Sequence, residues 1–250
     1  MKCNYVLEGD GEKTIVFIHG LSDSLEYWTK LSLQLSEEYK ILRYDLRGHG
    51  KTEFSSFTMD DLADDLYNLM LDLNIEKASL IGLSMGGNVA LKFAVKYPDL
   101  AENLVIMSSF SEVDDNLKSK FLEFKNAIDI GFIEFFDVII RYVLPQDIID
   151  KNYDALQANK EVLAKRANLD GIKNGIEIGM EFNITDELNN INIPTLILAG
   201  RDDEISTEDL QNILHDNINN SELVFFENTK HDLLIGRNIS EIKRLIRQLI

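Results

Sequence analysis

The chain is short of the residues that would cross-link it or hold it in a membrane. Its 250 residues include one cysteine, three prolines and one tryptophan. The single Cys3 excludes an intramolecular disulfide and a cysteine-based metal cluster, and it is compatible with a reducing compartment. No stretch approaches the roughly 18 apolar residues that span a bilayer, and no basic segment before a long apolar run opens the chain. We therefore expect a cytoplasmic protein with no membrane partner.

Positive charge is also scarce. The chain has 25 lysine and arginine residues against 43 aspartate and glutamate residues, which gives a net charge of −18 at pH 7 and a pI near 4.6. A surface of this sign repels phosphate backbones and anionic headgroups. The composition therefore predicts no nucleic-acid partner, and by itself it says nothing about catalysis.

Two glycine-containing stretches match nucleotide-binding loops only in part. The Gly-Lys-Thr at 50–52 lacks the glycine that such a loop needs five residues earlier, because that position is Asp45. The Gly-x-Gly at 9–11 has Thr14 in the place of a third glycine. No cluster of metal-ligating residues stands out either. We expect the protein to use no cofactor and no metal.

Apolar strand patterns alternate with helical patterns over most of the chain. Runs rich in β-branched and aromatic residues predict strands, whereas apolar residues at spacings of three and four predict helices. This alternation predicts an α/β fold whose mostly parallel sheet has helices on both faces, with the functional site at the carboxyl ends of the strands. The predicted strands are 3–7, 14–18, 39–44, a run from 78, 104–107, 193–199 and 222–226. The predicted helices are 25–37, one capped by Thr58 or Asp60 and running through Leu73, 86–97, 208–214 and 240–250.

The most informative stretch is the Gly-x-Ser-x-Gly at 82–86, which lies between a predicted strand and a predicted helix. This context is typical of a nucleophile elbow, a sharp turn that exposes a serine hydroxyl at the top of a sheet. The strained turn brings the strand end close to the helix start, so Cβ atoms at Gly82 and Gly86 would collide with the backbone. Ser84 is therefore the candidate nucleophile, and the amide of Met85 is positioned to stabilise an oxyanion.

Four motifs in one order resemble the α/β-hydrolase superfamily, and the chain is most similar to its small cofactor-free serine esterase and lactonase branch. The resemblance covers roughly residues 12–110 and 190–250. It implies the α/β-hydrolase sheet and a serine nucleophile, whereas relatives that cleave carbon–halogen bonds or epoxides have an aspartate at the elbow. The motifs are Ile18-His19-Gly20-Leu21, Asp45-Leu46-Arg47-Gly48-His49-Gly50, Gly82-Leu83-Ser84-Met85-Gly86-Gly87 and Ala199-Gly200-Arg201-Asp202-Asp203.

In this superfamily the nucleophile, the acid and the histidine follow in that order, with the last two on loops after the final strands. Of the four histidines, His19 and His49 precede Ser84 and His215 falls in a helical segment, so His231 is the candidate base. The expected role of His19 is to brace its loop. A lysine precedes His231 where a glycine is common, which makes the path of this loop and the charge of the pocket a question for the structure.

The family pattern assigns the acid to Asp203, three residues after the glycine that ends the strand. From the residues alone Asp202 stays an alternative, and Asp232 beside His231 is expected to be solvated. The same pattern implies that Leu21, after the His-Gly pair, supplies the second oxyanion amide beside that of Met85.

The resemblance implies a helical lid at 111–189 between the two parts of an α/β-hydrolase core, residues 1–110 and 190–250. This middle segment is helical in period and has no convincing core strand. We expect most of its aromatic rings to pack with one another and one or two to face the pocket. These aromatics are Phe121, Phe124, Phe132, Phe135, Phe136 and Tyr142.

The expected function is cleavage of a small carboxylic ester or lactone through a Ser84–His231–Asp203 triad and an acyl-enzyme. The same triad leaves two alternatives in chemistry, which are hydrolysis of a carbon–carbon bond next to a carbonyl and acyl transfer to an acceptor other than water. A third alternative is a small-molecule receptor with the same fold, which would turn over its ligand slowly or once.

Overall fold

The computed structural model describes residues 2–235 and 238–250, which form one sheet with helices around it. The strands are β1 (Tyr5–Glu8), β2 (Thr14–Ile18), β3 (Lys40–Tyr44), β4 (Ala78–Leu83), β5 (Ala101–Met107), β6 (Thr195–Gly200) and β7 (Ser221–Phe226). The helices are α1 (Thr29–Leu35), α2 (Met59–Asp72), α3 (Met85–Lys96), α4 (Asp115–Ile130), α5 (Phe132–Val143), α6 (Gln146–Lys151), α7 (Tyr153–Ala164), α8 (Leu169–Met180), α9 (Glu208–Asn217) and α10 (Ile239–Leu249). Short 3-10 helices lie at Leu25–Trp28, Pro98–Leu100 and Thr185–Asn190.

The sheet has seven strands in the order β1-β3-β2-β4-β5-β6-β7. Only the edge strand β1 is antiparallel to its neighbour, and the other pairings are parallel. The predicted mostly parallel sheet is therefore confirmed. Because the parallel strands point the same way, the loops that follow β2, β4, β6 and β7 meet at one edge of the sheet.

Helices cover both faces of the sheet, and β2 shows why. All five of its residues are buried. Because successive side chains of a strand point to opposite faces, Ile15 and Phe17 join the apolar cluster that contains residues of α1 and α10, whereas Val16 and Ile18 join the cluster that contains residues of α2 and α3. A strand buried on both faces reads as a continuous apolar run, which is how the sequence predicted it.

The predicted elements differ from the observed ones mainly at their ends. Thr58 caps α2 in a capping box with Asp61, in agreement with the first of its two predicted caps. The helix predicted over 25–37 begins instead with a 3-10 turn, in which the amide of Tyr27 donates to Ser24 O, before the α-helical segment from Thr29. Residue propensities do not distinguish a 3-10 turn from an α-helical turn. The two differ in whether an amide donates to the carbonyl three or four residues earlier.

The segment between β5 and β6 folds into α4–α8 without a strand among its described residues, as predicted. Its division into a separate lid domain stays a prediction. In the part of the chain that the structure covers, no helix combines the length and the apolar character needed to cross a membrane.

Candidate active site

Ser84 lies at the sharp turn between β4 and α3. Its φ of 52° and ψ of −119° are a strained conformation for a residue with a side chain. A Cβ at Gly82 would lie 2.2 Å from Gly86 O, and a Cβ at Gly86 would lie 2.2 Å from Ile18 O. The two glycines thus permit β4, α3 and the end of β2 to approach closely enough to form the turn. This geometry is that of the predicted elbow.

Hydrogen bonds hold the backbone of the elbow in place. The amide of Ser84 donates to Met107 O at 2.9 Å, and Ser109 Oγ donates to Ser84 O at 2.8 Å. Both partners lie at or just beyond the end of β5, the neighbouring strand. Ser109 was not predicted, because nothing in its local sequence marks a contact with a residue 25 positions away. Hydrogen bonds from outside the turn therefore help to hold Ser84 in its strained backbone conformation.

Two amides beside Ser84 are free to bind a ligand. Neither the amide of Leu21 nor that of Met85 donates to another group in the described ranges. Met85 is the first residue of α3, so its N–H lies at the positive end of the helix dipole. Both residues and Ser84 line the same cavity. This arrangement has the donors that an oxyanion hole requires.

The structure brings His231 and Asp203 together across the ends of β6 and β7. The Nδ1 of His231 lies 2.8 Å from Asp203 Oδ2, and both side chains are buried. With Nδ1 donating to the carboxylate, Nε2 is left as an acceptor. His231 and Ser84 line one cavity, and within the described chain Ser84 Oγ makes no hydrogen bond.

Further hydrogen bonds orient the carboxylate of Asp203. Its Oδ1 accepts the amides of Ile205 and Ser206 at 2.8 and 3.1 Å, and its Oδ2 accepts the hydroxyl of Ser206 at 2.6 Å. Asp202, the alternative acid, is exposed and takes no part in these hydrogen bonds. Ser206 was missed because a serine in a loop carries no periodic signal. The carboxylate beside His231 therefore belongs to Asp203.

His19 braces its loop, as predicted. Its Nδ1 donates to Gly20 O at 2.8 Å and its Nε2 accepts the amide of Leu46 at 3.0 Å. Burial, with a smaller contribution from His49, lowers the pKa of His19 to about 3. The ring therefore stays neutral near pH 7 and fixes the turn that presents the amide of Leu21.

The cavity above Ser84 has a volume of about 360 Å³ and an apolar roof that contains several phenylalanines. The expectation that one or two aromatics of the middle segment would face the pocket was wrong. Five of the six contribute to its lining, and they are Phe121, Phe124, Phe132, Phe135 and Phe136. The rings also pack against one another with centroids 6.1 to 6.3 Å apart, two pairs edge to face and two pairs tilted. A ring at the edge of a cavity can contact both the neighbouring rings and the cavity, so packing among the rings does not exclude contact with the cavity.

One end of the cavity is polar, and Asp232 lies there. The expectation that this residue is solvated was wrong, because it is only 9% exposed and Tyr27 Oη donates to its Oδ1 at 2.8 Å. Asp23 lines the same cavity and accepts the amide of Ser24 at 2.8 Å. Burial raises the pKa of both carboxyls, that of Asp23 to about 7. Asp23 had not been singled out, since it lies in no motif.

Lys230 precedes His231 at a position where a glycine is common, and its side chain does not enter the cavity. Its ammonium lies outside the cavity lining, donating to Glu204 Oε1 at 2.7 Å and to Arg141 O at 2.8 Å. Asp232, two residues after Lys230, donates its amide N–H to Val143 O at 3.2 Å. Two hydrogen bonds therefore connect the loop that carries His231 to the last turn of α5.

The fold is that of the α/β hydrolases, a class in which a serine elbow faces a histidine and an acid from the last loops. A family model described as the alpha/beta hydrolase fold matches residues 13–237, so the chain belongs to this family of enzymes. Its relatives include RutD of Pantoea ananatis, named as a proposed carbamate hydrolase, which is 27% identical over 198 residues, 76% of this chain and 71% of the relative.

Two solved structures are also similar to this chain. One is MGS-M2, an alpha/beta hydrolase enzyme from a deep-sea metagenome library of the Medee basin, with a TM-score of 0.91, 24% identity and coverage of 99% of this chain and 93% of the other. The second is the enol-lactonase of Burkholderia xenovorans LB400, with a TM-score of 0.88, 22% identity and coverage of 99% and 95%. At these identities the likeness establishes the fold.

Proposed function

We propose that this enzyme is a serine hydrolase that cleaves small carboxylic esters or lactones through an acyl-enzyme on Ser84. The observation that carries the proposal is the 2.8 Å contact of His231 Nδ1 with Asp203 in the cavity that Ser84 also lines. A serine hydroxyl is a weak nucleophile at neutral pH and needs a base that a carboxylate orients. The unoccupied amides of Leu21 and Met85 support the same conclusion, because acyl transfer passes through an oxyanion.

In the proposed reaction Ser84 Oγ attacks the carbonyl carbon and its proton passes to His231 Nε2. The amides of Leu21 and Met85 donate to the oxyanion, while Asp203 stabilises the imidazolium. Collapse of the intermediate breaks the bond to the alcohol oxygen, which receives the proton from His231. Water then attacks the acyl carbon with His231 as base, releasing the carboxylic acid and regenerating the Ser84 hydroxyl.

We further infer that α4–α8 act as a lid over this reaction. Their phenylalanines give the cavity an apolar roof, which excludes water and strengthens hydrogen bonds to the oxyanion. A volume of about 360 Å³ favours small substrates. The name of one solved neighbour describes a lactone substrate, and that of RutD proposes a carbamate, whose carbonyl is open to the same attack.

The test is steady-state hydrolysis of p-nitrophenyl butanoate, a small lactone and a carbamate ester by the parent enzyme and by Ser84→Ala. We expect sustained turnover by the parent and a loss of at least about 10³-fold in the variant. Intact-mass measurement should detect the acyl group on the parent and none on Ser84→Ala. Ser119→Ala, which removes an exposed hydroxyl on α4, serves as the matched control and should leave the rate unchanged.

Two results would contradict the proposal. One is an undiminished rate for Ser84→Ala, which would move the nucleophile elsewhere. The other is a single burst of p-nitrophenol without turnover by a folded parent, which is the behaviour of a ligand receptor with this fold.

A further inference from the structure

The cavity contains two carboxyl groups that the proposed reaction does not use. Asp23 follows Leu21 by two residues, and Asp232 directly follows His231. Both line the cavity together with Tyr27. The two loops that carry the proposed oxyanion amide and the proposed base therefore each bring a carboxyl group to the place where the substrate binds.

Neither carboxyl group forms an ion pair with a basic side chain in the part of the chain that the structure covers. Asp23 accepts the amide of Ser24, and Asp232 accepts Tyr27 Oη and the amide of Leu234. Arg166 shares a smaller adjoining pocket with Asp23 but forms no ion pair with it. Carboxyl groups buried in proteins are ordinarily paired with a cation. Among residues 2–235 and 238–250, no cation pairs with either carboxyl group at this end of the cavity.

The carboxyl groups also favour a ligand that carries hydrogen-bond donors. An ionised carboxylate only accepts hydrogen bonds, and it has more acceptor sites than the few donors that contact Asp23 and Asp232 occupy. A ligand that completes these contacts must bring N–H or O–H donors, since buried acceptors left without a donor cost free energy. An ammonium group brings such donors together with the opposite charge.

We propose that the acidic end of the cavity, formed by Asp23 and Asp232, selects acyl substrates that carry a protonated amine a few bonds from the scissile carbonyl. The inference rests on the proposed function of the same cavity, and it names the substrate class as amino-acyl esters or lactones. An ammonium group there gains the attraction of two carboxylates in a low-dielectric site and stabilises their ionised form. The aromatic roof packs against the carbon chain.

The test compares two p-nitrophenyl esters that differ by an ammonium in place of a methyl group, those of 3-aminopropanoate and butanoate. At about pH 7.5 we expect the parent to favour the amino ester in kcat/KM by about tenfold or more, the effect of one charge-assisted hydrogen bond. Asp23→Asn and Asp232→Asn keep an acceptor oxygen and should each lower this preference by about tenfold. The preference is the ratio of kcat/KM for the amino ester to kcat/KM for the butanoate ester, so a general effect of either substitution on the site cancels in this ratio.

Asp99→Asn is the matched control, because it removes the same charge from an exposed 3-10 turn that does not line the cavity. It should retain the parent's preference. The ester of 3-carboxypropanoate gives the opposite charge and should be the poorest of the three substrates. Equal rates for the amino and butanoate esters, or a preference for the carboxylate, overturn the inference and leave the proposed hydrolase intact.

A binding measurement separates the inference from the proposed reaction. Propylammonium chloride should raise the Tm of the parent more than sodium chloride does, and this difference should vanish in Asp23→Asn. If no ester is turned over but the ammonium still binds in this way, the proposed function fails and the acidic subsite stands. If propylammonium gives no more than the salt effect, the subsite fails.

Discussion

At the scale of single residues, Asp203 and Asp202 are neighbours in sequence with opposite environments. Asp203 is buried and hydrogen-bonded to His231 and Ser206, whereas Asp202 is exposed. A carboxylate orients the imidazole and stabilises its charged form only through direct contact. Under the proposed mechanism, substitution of Asp203 should therefore lower activity far more than substitution of Asp202.

We expect Asp203→Asn to lower kcat by about 10³- to 10⁴-fold, because an amide favours the wrong tautomer of His231 and does not stabilise the imidazolium. Asp202→Asn should stay within about twofold of the parent. The measurement is steady-state hydrolysis of the p-nitrophenyl ester that the parent cleaves best. A larger loss in Asp202→Asn than in Asp203→Asn would exclude the proposed triad.

Asp23 makes stability depend on pH. Its pKa is raised from 3.8 to about 7 chiefly by burial, so between these values the folded state holds a proton that the unfolded state has lost. This group therefore makes folding less favourable as the pH rises from about 4 to about 7. Asp23→Asn removes the effect, so its Tm relative to the parent should rise over that range and level off above it.

The check is a series of melting curves from pH 4 to pH 8 in buffers of equal ionic strength. Asp99→Asn, which changes an exposed carboxyl, should follow the parent at every pH. A constant difference in Tm between Asp23→Asn and the parent would contradict the raised pKa of Asp23.

At the scale of elements, the two helices α2 and α9 begin with threonines in different roles. Thr58 accepts the amide of Asp61 and completes a capping box, whereas Thr207 precedes α9 without a side-chain hydrogen bond to that helix. Thr58→Ala should cost about 1 kcal/mol and lower the Tm by about 2–4 °C. Thr207→Ala should lower it by less than about 1 °C. Equal losses measured by thermal unfolding would show that the cap hydrogen bonds contribute nothing.

Element type was predictable from sequence where a short local pattern decides it. The continuous apolar run at Thr14–Ile18 gave both ends of β2, and the spacing of glycines around Ser84 gave the elbow. Local patterns did not give the environment of Asp232, because its burial depends on Tyr27, which lies 205 positions away. The same limit explains Ser109 and Ser206, whose roles exist only once distant loops meet.

At the scale of the whole molecule, excess negative charge opposes folding. A net charge of −18 on 250 residues repels itself across the compact state, and salt screens this repulsion more than it weakens short-range ion pairs. We expect the Tm at pH 7 to rise by a few degrees when sodium chloride increases from about 0.01 M to about 0.3 M. Near pH 4.6 the same addition should have little effect, and a fall of the Tm at pH 7 would show that ion pairs dominate.

Hydrogen bonds connect the loop that carries the proposed base to a helix of the cavity roof. Lys230 and Asp232, which flank His231, hydrogen-bond the carbonyls of Arg141 and Val143 at the end of α5. A displacement of this end of α5 would break both hydrogen bonds and free the loop that carries His231. Under the proposed mechanism this displacement would also slow hydrolysis, because proton transfer from Ser84 requires an imidazole held in a fixed position.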